Sequence, residues 1–134
     1  MPPKKKLSPA EKAEKRFKAD LKAFVISGLR RASFRWKPRN EAKNAARIQR
    51  GTYFCAMCSS EIKNAELKID HVLPVVPIDT GFTTWDDYIT RMFPNAEGFQ
   101  ILCTTCHDAK THMEKEMRKA YRKKRANAID SDEE

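Results

Sequence analysis

The sequence predicts a small α+β protein held together by a bound metal, and three observations predict it. Two cysteine pairs share one spacing, "CAMC" (Cys55, Cys58) and "CTTC" (Cys103, Cys106). Two stretches, "ELKIDHV" (Glu66 to Val72), where Leu67 and Ile69 alternate with polar residues, and "FQILC" (Phe99 to Cys103), read as strands joined by a long connection. Stretches of helical spacing precede the first pair and follow the second. The chain has 134 residues, one domain's worth with tails.

The elements follow in order. Residues 1–7 are too polar to pack and read as a disordered basic tail. Ser8 and Pro9 suit an N-cap and first helical position. Phe17, Leu21, Phe24, Val25 and Leu29 then predict a helix over 9–31 whose apolar stripe is a packing face. Pro38 is expected to break any helix, and Asn40 to cap a short one, "EAKNAARIQR", closed by Gly51. Residues 8–50 thus form a basic helical extension, and 51–126 the metal-stapled domain. Within that domain Pro74 and Pro77 end the first strand region. Thr84, with Asp87 three residues on, caps a short helix whose apolar face is Trp85, Tyr88, Ile89 and Phe93. The last helix opens at the second cysteine pair with Thr104 or Thr105 as cap, and Met113, Met117, Ala120 and Tyr121 form its buried face. Residues 127–134 read as an acidic, disordered tail.

Charge is unevenly placed. Residues 1–50 hold 16 of the 27 Lys and Arg but only 4 of the 18 Asp and Glu. A basic N-terminal third suggests a polyanion partner, most often nucleic acid. The stretch "RRASFRWKPRNEAK" interleaves Arg30, Arg31, Arg35, Lys37 and Arg39 with Phe34 and Trp36. That mixture suits phosphate contact with base stacking, and equally an aromatic anchor flanked by solvated arginines. Neither a secretory apolar segment nor a membrane-length run is present, so the expected location is the cytoplasm.

Paired C-x-x-C in such a chain reads as structural zinc before disulfide. Each pair supplies two thiolates to a tetrahedral ion, and two pairs complete the set. A redox pair or unrelated core cysteines fit poorly with two copies of one spacing. If a metal joins the pairs, His107, which follows Cys106, is brought close to Asp70 and His71. Asp70 and His107 can then hold a divalent cation, Mg²⁺, Mn²⁺ or Ni²⁺. His71 suits a general base at neutral pH, and Lys110, one turn beyond His107, can steady a phosphate. The alternative is structural, with Asp70 bonded to a loop and His71 packed at a strand end. His112 falls off the face of His107 and is expected at the surface.

These residues resemble the HNH endonucleases of the ββα-metal type, and more narrowly the small zinc-stapled proteins of that family common in bacteriophage genomes. The resemblance rests on "CAMC", "IDHVLPV" and "FQILCTTCHDAKT" and covers about residues 51–112. It implies a two-stranded hairpin with a helix across it, a structural Zn²⁺ on Cys55, Cys58, Cys103 and Cys106, a catalytic cation on Asp70 and His107, and His71 as general base. Gly98 stands where the family places an asparagine brace, and Asn95, three residues earlier, is the candidate for that role. Thr111 stands where the family often has a second metal-binding histidine. The implied activity is metal-dependent hydrolysis of duplex DNA, with Arg30, Arg31, Arg35, Trp36, Lys37, Arg39 and Lys110 on the DNA. The resemblance implies one of three roles, mobile-element homing, genome packaging beside phage packaging proteins, or degradation of host DNA, in the cytoplasm of a bacterial host, for a monomer or homodimer. The alternative is a non-catalytic zinc module that binds nucleic acid or a protein.

Overall fold

The computed structural model describes the backbone of residues 2–132 and the side chains of residues 2–128. Helix α1 spans Pro9–Ser33 and opens with a reciprocal cap. Ser8 Oγ accepts from the Glu11 N–H at 3.2 Å, and the Glu11 carboxylate accepts from the Ser8 N–H at 2.8 Å. Pro2 to Leu7 carry no regular structure, and Met1 lies outside the described residues. The expected stripe is not a packing face along most of α1: Phe17 is 68% and Phe24 76% exposed, and Leu21 is exposed too. The helix packs on the body chiefly through its C-terminal half, against the third helix, where Val25, Ile26 and Leu29 are half-buried and Ser33 is buried. Lys22 adds a contact, its ammonium 3.8 Å from the centre of the Phe82 ring.

Helix α2 spans Lys37–Ala45, which corrects two expectations. Pro38 begins the helix, because the first turn has no use for the N–H that proline lacks. Asn40 is therefore internal, and Trp36 occupies the cap position without a capping side chain. Its indole Nε1 donates instead to the Pro94 carbonyl at 2.6 Å, and its ring meets Phe93 edge-on. The rest of the expected helix becomes strand β1, Arg47–Gln49. Gly51 supplies the φ of +75° that the turn into β2, Thr52–Phe54, requires. Strand β3, Glu61–Lys63, completes an antiparallel sheet in the order β1-β2-β3.

A second sheet pairs β4, Leu67–His71, with β5, Phe99–Cys103, in antiparallel register from Leu67↔Cys103 to His71↔Phe99. Between them lies α3, Trp85–Met92, capped by Thr84, whose hydroxyl accepts from the Asp87 N–H. Tyr88 and Met92 are its buried residues, while Trp85 and Ile89 stay exposed. Helix α4, Thr104–Asp132, leaves β5 directly. Tyr53, Cys55, Ile62, Ile101 and Leu102 form the core where the two sheets meet.

The inward stripe of α4 is not the expected one. Met113, Met117 and Tyr121 are exposed, whereas Cys106, His107, Lys110, Glu114 and Arg118 are half-buried. The acidic segment from 127 belongs to α4 as far as Asp132, and residues 133–134 lie outside the described residues. Among the described residues no helix is long and apolar enough to cross a membrane.

Candidate metal centre and adjoining cleft

The first cysteine pair sits in the turn between β2 and β3. Cys55 donates its N–H to the Ser60 carbonyl at 2.9 Å, and Ser59 closes the turn at a φ of 63°. The Ala56 N–H donates to the Ile101 carbonyl at 2.9 Å, which fixes this turn on β5. Cys103 ends β5 and Cys106 lies in the first turn of α4. Strand and helix thus present two thiols to the other two. All four are free, and their sulfurs lie within 4.8 Å of one another. Cys58 and Cys103 are 3.8 Å apart, which matches the S···S edge of about 3.8 Å for a tetrahedron with ~2.3 Å metal–sulfur bonds.

The electrostatics of the cluster call for a cation. Burial pushes the Cys55 thiol up, but the backbone N–H groups around it prevail and hold it at about 6. Cys106 is pushed up to about 12, first by the Cys103 thiol and then by burial. Four thiols this close cannot all ionise without a positive charge among them, and a bound metal supplies that charge. The four cysteines are positioned to hold a metal ion, and an all-thiolate set suits zinc.

Beside this centre, a cleft of about 470 Å³ runs between α1, α3, α4 and the end of β4. Asp70 and His71, adjacent at the end of β4, both line it. His71 is half-buried, its ring 4.8 Å from that of Phe99, and its Nε2 lies 2.9 Å from the Met92 carbonyl. That carbonyl is one of the unpaired groups at the C-terminus of α3. It can only accept, so Nε2 carries the proton and Nδ1 keeps its lone pair. Burial lowers the His71 pKa from its ordinary value and outweighs the raising effect of the Met92 carbonyl, which favours the neutral ring.

Asp70 is engaged twice at one oxygen. Oδ2 accepts from Lys110 Nζ at 2.7 Å and from Gln100 Nε2 at 3.0 Å. Lys110 also reaches Glu114 Oε1 at 2.8 Å and the His71 carbonyl at 3.0 Å. Burial pulls the Lys110 pKa down, but Asp70 and Glu114 outweigh it, and the ammonium is held charged. Arg118 donates to the Val76 carbonyl at 2.8 Å, and Arg91 to that of Pro74 at 3.2 Å, tying the loop after β4 to both α4 and α3.

The remaining expected site residues are dispersed. His107 lies one turn before Lys110, makes no hydrogen bond or ion pair with Asp70, and does not line the cleft. Its Nδ1 is buried without a hydrogen-bond partner, 3.7 Å from the Asp108 carboxylate. The Asn95 side chain is exposed and makes no hydrogen bond among the described residues, so the Met92 carbonyl, not Asn95, orients His71. At Gly98 a Cβ would come within 2.4 Å of the Pro94 Cβ, so an asparagine cannot stand there without displacing Pro94. Arg30 and Arg39 line the cleft; Arg31, Arg35 and Lys37 are exposed away from it. Arg39 stacks 4.8 Å over Phe34, and burial lowers its pKa. His112 is exposed, as expected.

Sequence reasoning missed three contributors. Glu114 and Arg118 lie four and eight residues beyond Lys110, so the helical spacing that singled out Lys110 extends to both. The Met92 carbonyl left no side-chain signal. No family model matches the chain, and neither a curated protein nor a solved structure matches it.

Proposed function

We propose that the protein is a metal-dependent DNA endonuclease of the HNH type, with His71 as general base. The observation that carries the reading is the state of His71: a neutral-favouring imidazole, oriented through Nε2, on the wall of a cleft that also holds Asp70, Arg30 and Arg39. The order β4, β5, α4 around four clustered cysteines supports it, as the resemblance implies.

In this reading Arg30 and Arg39 draw a backbone phosphate into the cleft. His71 Nδ1 takes a proton from water as the water oxygen bonds to phosphorus. The P–O bond opposite breaks, and the departing oxygen gains a proton from solvent. Asp70 and His107 are the residues that would hold Mg²⁺, Mn²⁺ or Ni²⁺, which when bound offsets charge on the phosphate and the departing oxygen. Asp70 stands in the cleft, whereas the buried Nδ1 of His107 lies 3.7 Å from the Asp108 carboxylate and outside the cleft lining, so His107 would join Asp70 only after its ring turned.

The test is cleavage of supercoiled plasmid by wild type and His71→Ala, with each cation and with EDTA. Wild type with metal should nick the plasmid, and His71→Ala should leave it intact at unchanged zinc content. Equal cutting by both proteins would remove His71 from the role of base.

A second reading, a non-catalytic zinc module that binds nucleic acid, has its own support. Lys110 already neutralises Asp70, and Gly98 leaves no room for the asparagine brace. Under that reading neither protein cuts, and both retard DNA in a gel.

A further inference from the structure

We infer that Lys110 is a resident counter-cation at Asp70, and that a divalent ion binds this carboxylate only by displacing the Lys110 ammonium onto Glu114. The inference rests on the proposed role of Asp70 as a metal ligand and adds the device that controls access to it.

An ammonium has three N–H donors, and Lys110 has spent them on three oxygens: Asp70 Oδ2 at 2.7 Å, Glu114 Oε1 at 2.8 Å and the His71 carbonyl at 3.0 Å. In this state it has no donor left for a phosphate. Its side chain is only 13% exposed, and those of Asp70 and Glu114 are 18% and 21% exposed, so water screens the group weakly. A carboxylate oxygen is also the hard donor that a cation such as Mg²⁺ or Mn²⁺ prefers. Ammonium and divalent ion therefore compete for one carboxylate.

The two ion pairs of Lys110 differ in kind. Glu114 is four residues on along α4, so that pair lies within one helix and survives any shift between elements. The Asp70 pair crosses from α4 to β4 and is the one an incoming cation breaks. Glu114 then receives the displaced ammonium. Arg30 lines the same cleft without bonding Asp70, and serves as a control for loss of a nearby positive charge.

The experiment measures Mn²⁺ binding to zinc-loaded protein by calorimetry and by electron paramagnetic resonance, without DNA. Lys110→Met should bind Mn²⁺ at least ~tenfold more tightly than wild type, a difference of about 1.4 kcal/mol. Arg30→Met should change affinity less than ~threefold, since its charge is not in contact with the site. Glu114→Gln should weaken binding in the wild-type background and leave it unchanged in the Lys110→Met background, because Glu114 acts through Lys110. Lys110→Gln is the second variant should the methionine disturb folding, and it should tighten binding in the same direction.

Unchanged or weaker Mn²⁺ binding in the Lys110 variants would overturn the inference. So would tightening of equal size in Arg30→Met, or no Mn²⁺ binding by any variant. Plasmid cleavage separates the two levels. Tightened binding with no cleavage leaves the counter-cation standing and removes the nuclease reading; cleavage with unaltered affinity does the reverse.

Discussion

Gly98→Ala adds one methyl group, and the structure places it 2.4 Å from the Pro94 Cβ and 2.8 Å from its Cγ. Neither atom can swing away, since both belong to a proline ring. Relief requires Pro94 to move, and Pro94 is held from its other side, where its carbonyl accepts from the Trp36 indole at 2.6 Å. Overpacking of this kind costs about 1–3 kcal/mol. Loss of the indole bond adds about 0.5–1.5 kcal/mol. The expected total is about 1.5–4.5 kcal/mol, read as a lower urea midpoint at unchanged slope. Pro94→Gly removes both crowded atoms and keeps the carbonyl, so the double variant should recover most of the overpacking loss. Gly98→Asn, which installs the residue of the resembled family, should destabilise at least as much as alanine and disturb the Val72 N–H bond to the Gly98 carbonyl beside His71. A Gly98→Ala protein as stable as wild type, or one that Pro94→Gly fails to relieve, would refute the reasoning.

Other outcomes follow from the same geometry. Denatured in EDTA, the protein should release one zinc per chain and titrate four thiols, while Cys55→Ser should lose the metal and cooperative unfolding together. Tyr88 is buried, and burial raises its pKa, so it should ionise at higher pH than an exposed tyrosine in an ultraviolet titration. Because its neutral form is favoured in the fold, its contribution to stability is full below ~10 and is lost as pH rises through the raised value, a loss that Tyr88→Phe should abolish. Arg35 is exposed and makes no ion pair among the described residues, so Arg35→Ala should leave the melting temperature unchanged and, if it touches phosphate, lower the salt slope of DNA binding by about 0.9.

Strand β4 was legible because Leu67 and Ile69 alternate with polar residues, β5 because it is a mostly apolar run of five, and α1 and α3 announced their starts through Ser8 and Thr84. Equal spacing made the four-cysteine cluster legible. Strands β1 to β3 were not, since three residues show no periodicity. Pro38 was read as a breaker because the sequence alone does not fix which turn of a helix it enters. On α4 apolar spacing pointed to Met113 and Met117, whereas the stripe that turns inward is charged and buried through the pairing of Lys110 with Asp70. That pairing joins residues 40 apart in the chain and depends on where the helix axis crosses the sheet, which local pattern does not encode.

The four cysteines also bear on how the chain finds its fold. Cys58 and Cys103 are 45 residues apart, and the intervening segment contains β4, the proline-rich loop, α3 and most of β5. Closing a flexible loop of that length costs about 3.4 kcal/mol in the length-dependent term alone. A metal that joins the two pairs early meets this entropic cost before any strand has paired, and turns the meeting of β4 with β5 into a search within a tethered ring. Refolding should therefore run faster with zinc present from the start than with zinc added late, which makes the metal a timing element of folding as well as a staple of the finished structure.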